Sequence, residues 1–172
     1  MKSSSAVGGT VLYDVAYQKE LTSKPKVLFI VPGVNGCSKS ANIAAVCNEF
    51  YKRGYNIFFV NPVAPKDSNH SCLEVIDFTR NLPITEGVAK AKELFGSDAE
   101  IYALGFSLGG NHITRHLGAH EDCSEICKIK AFFSVSAAYD LPSTVASLMG
   151  VYNNYIVTHL KQSFVNRKYK VQ

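Results

Sequence analysis

Residues 105–110 read Gly-Phe-Ser-Leu-Gly-Gly, a G-x-S-x-G pattern with Ser107 at its centre. It follows an apolar run ending at Leu104 and precedes a helical stretch, the strand–turn–helix context in which this pattern forms a nucleophile elbow. So tight a bend forces strained backbone angles on Ser107, and Gly105 and Gly109 leave room for the neighbouring chain. The result is an exposed hydroxyl at a helix N-terminus. There the helix dipole and the N–H of Leu108 can stabilise negative charge on a carbonyl oxygen that Ser107 attacks. A second donor is expected from the loop Pro32-Gly33-Val34-Asn35-Gly36, through the N–H of Val34. Ser107 as nucleophile with Val34 and Leu108 as oxyanion hole is a constellation for acyl transfer. The plainer alternative, glycines serving only a tight connection, does not explain why the turn sits between a strand and a helix, with a glycine loop two strands earlier.

These residues need a sheet to position them. Residues 26–31 (KVLFIV) form a continuous apolar run closed by Pro32-Gly33, the pattern of a strand buried on both faces. Similar runs follow at 56–60, 100–104 and 130–135, with helix-like stretches between them at 40–53, 85–95 and 108–119. Alternating strands and helices imply a mostly parallel sheet with right-handed crossovers and helices on both faces. Gly54 and Gly96 stand where left-handed C-caps are wanted. Residues 10–18 alternate like a half-exposed strand, and 64–83 read as a surface connection in which 73–78 could form a short helix. Beyond 141, Leu148, Val151, Tyr152, Tyr155, Ile156, His159 and Leu160 recur at helical spacing, giving an amphipathic helix that runs into a basic tail.

The chain has 172 residues, which predicts one domain: a sheet core over 8–140 and a C-terminal helical segment over 141–172. Hydrophobic residues make up 47% and charged ones 19%, which excludes a disordered or fibrous chain. The net charge of +4 is concentrated in Lys161, Arg167, Lys168 and Lys170, too short a cluster to predict nucleic-acid binding. Five cysteines form no disulfide framework, the first residues show no signal peptide, and no run is long enough for a transmembrane segment, so the expected location is cytoplasmic. His116, His120, Cys123 and Cys127 fall close together, but their spacing is not a common zinc pattern. Helix-end histidines followed by ordinary cysteines explain them better, so neither a metal nor a cofactor is expected.

The Val31-Pro32-Gly33-Val34-Asn35-Gly36 loop, Arg53-Gly54-Tyr55, Asn61, the elbow with its trailing Gly110-Asn111, and Tyr139-Asp140-Leu141 together resemble the α/β-hydrolase superfamily. The likeness is to the branch of α/β-hydrolase-domain lipases and their bacterial carboxylesterase relatives, and it spans about residues 8–160. It implies hydrolysis of carboxylic esters, often of lipids, by a Ser-Asp-His triad on a small-molecule ester substrate. After Asn61 the chain departs from the family, reading Pro62-Val63-Ala64-Pro65 instead of an Arg-Gly pair and a glycine-rich stretch. The family's last two strands, which carry the triad Asp and His, have no counterpart among these residues.

Serine needs an imidazole within hydrogen-bond reach, oriented in turn by a carboxylate. His112 and His116 lie along the helix that Ser107 opens and read as surface or packing residues. Asp140 and His159 keep the chain order Ser, Asp, His, with Asp140 just past a strand end. Asp140 reads equally as a helix N-cap, and His159 as part of a helical apolar face. Without a working base the chain is expected to be a catalytically inactive hydrolase-like fragment or module that binds a lipid or protein partner. Missing later strands would also leave the 131–135 strand with an open edge, which predicts self-association or capture of a partner unless the last helix folds over it.

Overall fold

The computed structural model describes residues 2–4, 10–20, 22–34, 36–61, 82–119, 129–148 and 150–168. Among the described residues the strands are β1 (Lys2–Ser4), β2 (Thr10–Ala16), β3 (Lys26–Val31), β4 (Asn56–Asn61), β5 (Glu100–Phe106) and β6 (Ile129–Val135). The helices are α1 (Ala41–Lys52), α2 (Leu82–Phe95), α3 (Leu108–Gly118), α4 (Leu141–Ser147) and α5 (Gly150–Lys168). The strands form one sheet in the order β1-β2-β4-β3-β5-β6. From β4 to β6 every pairing is parallel, and β1 and β2 are added antiparallel at the far side.

Apolar runs become central strands because both of their faces are covered. On one face Val27, Phe29, Phe58, Val60, Ile101 and Ala103 pack with Ile84, Val88, Ala91 and Phe95 of α2 and Ile113 of α3. On the other, Leu28, Ile30, Ile57, Phe59 and Leu104 meet Ile43 of α1. Phe29 and Phe58 stack across neighbouring strands with ring centroids 5.5 Å apart. Asn56, buried at the start of β4, donates to the Lys26 carbonyl at 3.1 Å and accepts from the Gln18 N–H at 2.9 Å, so the strand starts are held by satisfied polar groups.

Gly54 and Gly96 end α1 and α2 with φ of +86° and +97°, the left-handed values that a C-cap requires. Nothing lies within 4 Å of a Cβ built at Gly96, so conformation alone is at stake there. Gly96→Ala is expected to lower stability by about 1 kcal/mol, read from the urea unfolding midpoint, because alanine must hold a left-handed φ. A midpoint equal to or above that of the wild type would contradict this account.

Three elements differ from expectation. β1 is built from the serine-rich start, which carries no apolar alternation, and pairs antiparallel with β2. β5 runs two residues past Leu104, because Gly105 and Phe106 continue the ladder opposite Ser134 and Val135. The last helix, expected to be amphipathic, holds its described apolar residues in solvent: Val151 is 80% exposed, and Tyr152 and Tyr155 more than half. It does not cover β6, where Phe133 stays 62% exposed. The connection at 64–83 lies outside the described residues up to 81, and with it the short helix expected at 73–78. No helix among the described residues is long and apolar enough to cross a membrane.

Candidate active site

Ser107 stands at the junction of β5 and α3 as the N-cap of α3, with φ 51° and ψ −118°. A non-glycine residue in this region costs on the order of 1–3 kcal/mol and persists only where its surroundings over-determine it. They do so here. The Ser107 N–H donates to the Val135 carbonyl at 2.7 Å, and its own carbonyl accepts from the N–H of Gly110 at 3.0 Å and of Asn111 at 3.3 Å. The backbone is thus held from β6 on one side and from α3 on the other, while the side chain stays exposed.

The glycines around Ser107 are there for space. A Cβ at Gly105 would lie 2.5 Å from the Gly110 N and Cα, and one at Gly109 would be driven into the Val31 and Pro32 carbonyls. A Cβ at Gly33 would sit 3.0 Å from Ser107 Cβ and 3.6 Å from Ser107 Oγ. The loop after β3 therefore runs directly beside the hydroxyl. Val34, next in that loop, is 40% exposed, and Leu108 is the first residue of α3, whose N–H has no acceptor within the helix. Ser107, Leu108 and the Gly33-Val34 backbone are brought to one edge of the sheet.

The far end of this loop is fastened by residues that the sequence pattern did not single out for chemistry. Ser38 Oγ donates to Asp14 Oδ2 at 2.5 Å, and Asn61 Nδ2 donates to the same oxygen at 2.9 Å. Asp14 on β2 thereby ties the loop to the end of β4. Its only sequence signal is a polar position in an alternating strand. A cavity of about 340 Å³ opens beside it, lined by Val15, Ala16, Ala44, Cys47, Ile57 and Phe59 among others; Ser107 is not in its wall. Burial raises the Cys47 thiol above its ordinary pKa, which keeps it protonated and unreactive at neutral pH.

Past β6, Ser136 also has a positive φ, 53°, and Asn111 Nδ2 donates to the Ala138 carbonyl at 2.8 Å, tying this segment to α3. Asp140 then caps α4. Its Oδ1 accepts from the Ser143 N–H at 3.1 Å and its Oδ2 from the Ser143 hydroxyl at 2.5 Å. These bonds, the hydroxyl's first, hold the carboxyl below its ordinary pKa, so it is ionised at neutral pH and is committed to the helix end. His159 falls on α5, and its side chain lies outside the described residues. His112 is partly buried and His116 fully buried on α3. Among the described residues no group of three His, Cys, Asp or Glu side chains could hold a metal. His120, Cys123 and Cys127 lie outside the described residues.

No family model and no curated protein sequence matches the chain. Solved structures do. Est1E from Butyrivibrio proteoclasticus aligns with a TM-score of 0.63 at 23% identity, over 84% of this chain and 53% of that one. The Pyrococcus furiosus esterase Pf2001 gives 0.64 at 17%, over 84% and 52%. Mouse alpha/beta hydrolase domain-containing protein 10 gives 0.57 at 16%, over 92% and 58%. The chain thus spans little more than half the length of each. A mostly parallel sheet with helices on both faces matches them in architecture: the chain has the α/β-hydrolase fold.

Proposed function

We propose that the chain is a serine-dependent hydrolase of carboxylic esters, with Ser107 at a nucleophile elbow. Ser107 Oγ attacks the ester carbonyl carbon, and the N–H groups of Leu108 and Val34 receive the oxyanion. Collapse of that intermediate expels the alcohol, which takes up the proton that the Ser107 hydroxyl gave to the base on attack, and leaves an acyl-enzyme that water hydrolyses to the free acid. The carrying observation is the strained, exposed Ser107 at the start of α3 with the Gly33 backbone against its side chain. The esterases among the similar structures agree with this reading, and the exposed apolar residues of α5 suit an acyl or lipid ester.

Chain order assigns the acid and base to Asp140 and His159. In the conformation described, each Asp140 oxygen already accepts one bond from Ser143, which leaves a single further acceptor position on each for a histidine. That engagement favours a second reading, a non-catalytic hydrolase-like module that keeps the elbow but binds a lipid or protein. Loss of triad members costs about 10⁴ to 10⁶ in turnover, so the two readings are far apart.

A fluorophosphonate probe separates them. Covalent labelling of the folded wild-type chain, abolished in Ser107→Ala, is the result expected of the hydrolase. A well-folded preparation that takes up no probe would leave the binding module.

A further inference from the structure

We propose, on the reading of Ser107 as nucleophile, that Asp14 is a positioning residue for acyl transfer: through Ser38 it holds the loop after β3 so that the Val34 N–H stays where the oxyanion forms.

The strand register brings the parts together. In the antiparallel pairing of β2 with β4, Asp14 lies opposite Phe59 and Leu12 opposite Asn61. Residues two apart share a face of the sheet, so Asp14, Phe59 and Asn61 stand on the face where Phe59 packs with Ile43 of α1. Asn61, buried at the end of β4, is the diagonal cross-strand neighbour of Asp14, and its Nδ2 donates to Asp14 Oδ2 at 2.9 Å. Its own Oδ1 is buried and accepts no bond among the described residues. An amide turned the other way would set that oxygen against the carboxylate, so Asn61 is oriented for Asp14 even though its acceptor goes unused.

The loop reaches the same carboxylate oxygen from the other side. It contains two closed turns in succession. The Gly36 N–H donates to the Gly33 carbonyl at 3.0 Å; the Ser40 N–H donates to the Cys37 carbonyl at 3.0 Å, and the Cys37 N–H to Ser40 Oγ at 3.3 Å. The first turn carries Val34 and lies against Ser107 through Gly33. The second carries Ser38, whose Oγ donates to Asp14 Oδ2 at 2.5 Å. Because both turns are closed on themselves, a restraint at Ser38 is carried to Val34. The Ser38 bond also bridges an opening: Asp14 and Ser38 both line the cavity of about 340 Å³, so without the bond the loop has room to shift. A donor to a developing oxyanion works only if it is already in place, and a displacement of 1 Å costs up to about 10² in rate.

The test is the rate at which a fluorophosphonate labels Ser107, measured over a series of probe concentrations on chains whose circular dichroism matches the wild type. Asp14→Ala and Ser38→Ala are each expected to lower the maximal rate roughly tenfold and to leave the half-saturating probe concentration unchanged, because the donor acts in the transition state. The double variant is expected to label no more slowly than either single one, since both changes break the same bond. Asp14→Asn, whose carbonyl oxygen can accept from both Ser38 and Asn61, is expected to keep roughly half or more of the wild-type rate. Should Asp14→Ala misfold, Ser38→Ala and Asp14→Asn decide, since the first change lies in the loop and the second keeps both bonds.

A wild type that labels with Ser38→Ala labelling just as fast, single-variant losses that multiply in the double variant, an Asp14→Asn chain roughly tenfold slowed, or a shift in half-saturation in place of a fall in rate would each overturn the positioning role and leave Ser107 its own. A folded wild type that takes up no probe would overturn the reading of Ser107, and this role with it.

Discussion

Gly109→Ala is expected to remove most of the stability of the domain, the largest effect of any single methyl group in the elbow. Gly109 is the second residue of α3, and its Cα passes the end of β3 so closely that a Cβ would stand 2.5 Å from the Pro32 carbonyl oxygen and nearer still to that of Val31. Overpacking in a core costs roughly 1–3 kcal/mol when side chains can rotate away, and more when they cannot. Here the obstacle is backbone at the end of a central strand, and the helix that must retreat is pinned by the bonds from Gly110 and Asn111 to Ser107. A loss of more than about 3 kcal/mol follows, a large part of the roughly 5–15 kcal/mol that holds a domain together. Gly118→Ala, in the same helix with nothing within 4 Å of its Cβ, is the control, expected to leave the urea midpoint unchanged or slightly raised. Equal midpoints for Gly109→Ala and the wild type would mean that the serine turn is looser than described.

What the sequence made legible is what local chemistry decides. The runs at 26–31 and 56–60 became central strands because their β-branched and aromatic residues fit a surface covered on both sides. Gly54 and Gly96 marked helix ends because φ near +90° is a property of one residue. The turn at Ser107 was legible for the same reason, since its glycines answer to contacts within five residues and to one strand already recognised. The continuation of β5 through Gly105 was not, because glycine reads as a turn until its ladder partners Val31 and Ser134 are known. Nor was β1, whose serines are strand only by pairing with β2. Asp14 gave no more than a polar position in an alternating strand, because its meaning lies in Ser38 and Asn61, which are 24 and 47 residues away. The helical spacing after residue 148 predicted a helix correctly but not a buried face, because periodicity cannot say whether anything is there to cover it. For Asp140 the sequence offered two roles, and the bonds to Ser143 are those of the cap.

Gly33→Ala separates the chemistry of the site from its architecture. The new methyl group would meet Ser107 Cβ at 3.0 Å and the Phe106 carbonyl at 3.2 Å, close enough that the loop must withdraw by a few tenths of an ångström but not so close that the fold must open. Gly33 does not have a positive φ, so alanine carries no conformational penalty there, and the stability read from the urea midpoint is expected to fall by less than about 1 kcal/mol. The loop that withdraws carries Val34, the proposed second oxyanion donor. Removing such a donor outright costs about 10² to 10³ in rate, and misplacing a reacting group by 1 Å costs up to about 10². A partial displacement is therefore expected to slow fluorophosphonate labelling of Ser107 by roughly tenfold to a hundredfold, because the phosphoryl oxygen uses the same donors as an ester carbonyl. Gly36→Ala provides the contrast: its Cβ would lie 2.7 Å from Pro32 Cβ, within the loop itself and not against Ser107, so its effect belongs mainly to stability. A Gly33→Ala chain that labels as fast as the wild type would show that the loop after β3 takes no part in holding the developing oxyanion, and Val34 would lose its assignment while Ser107 kept its own.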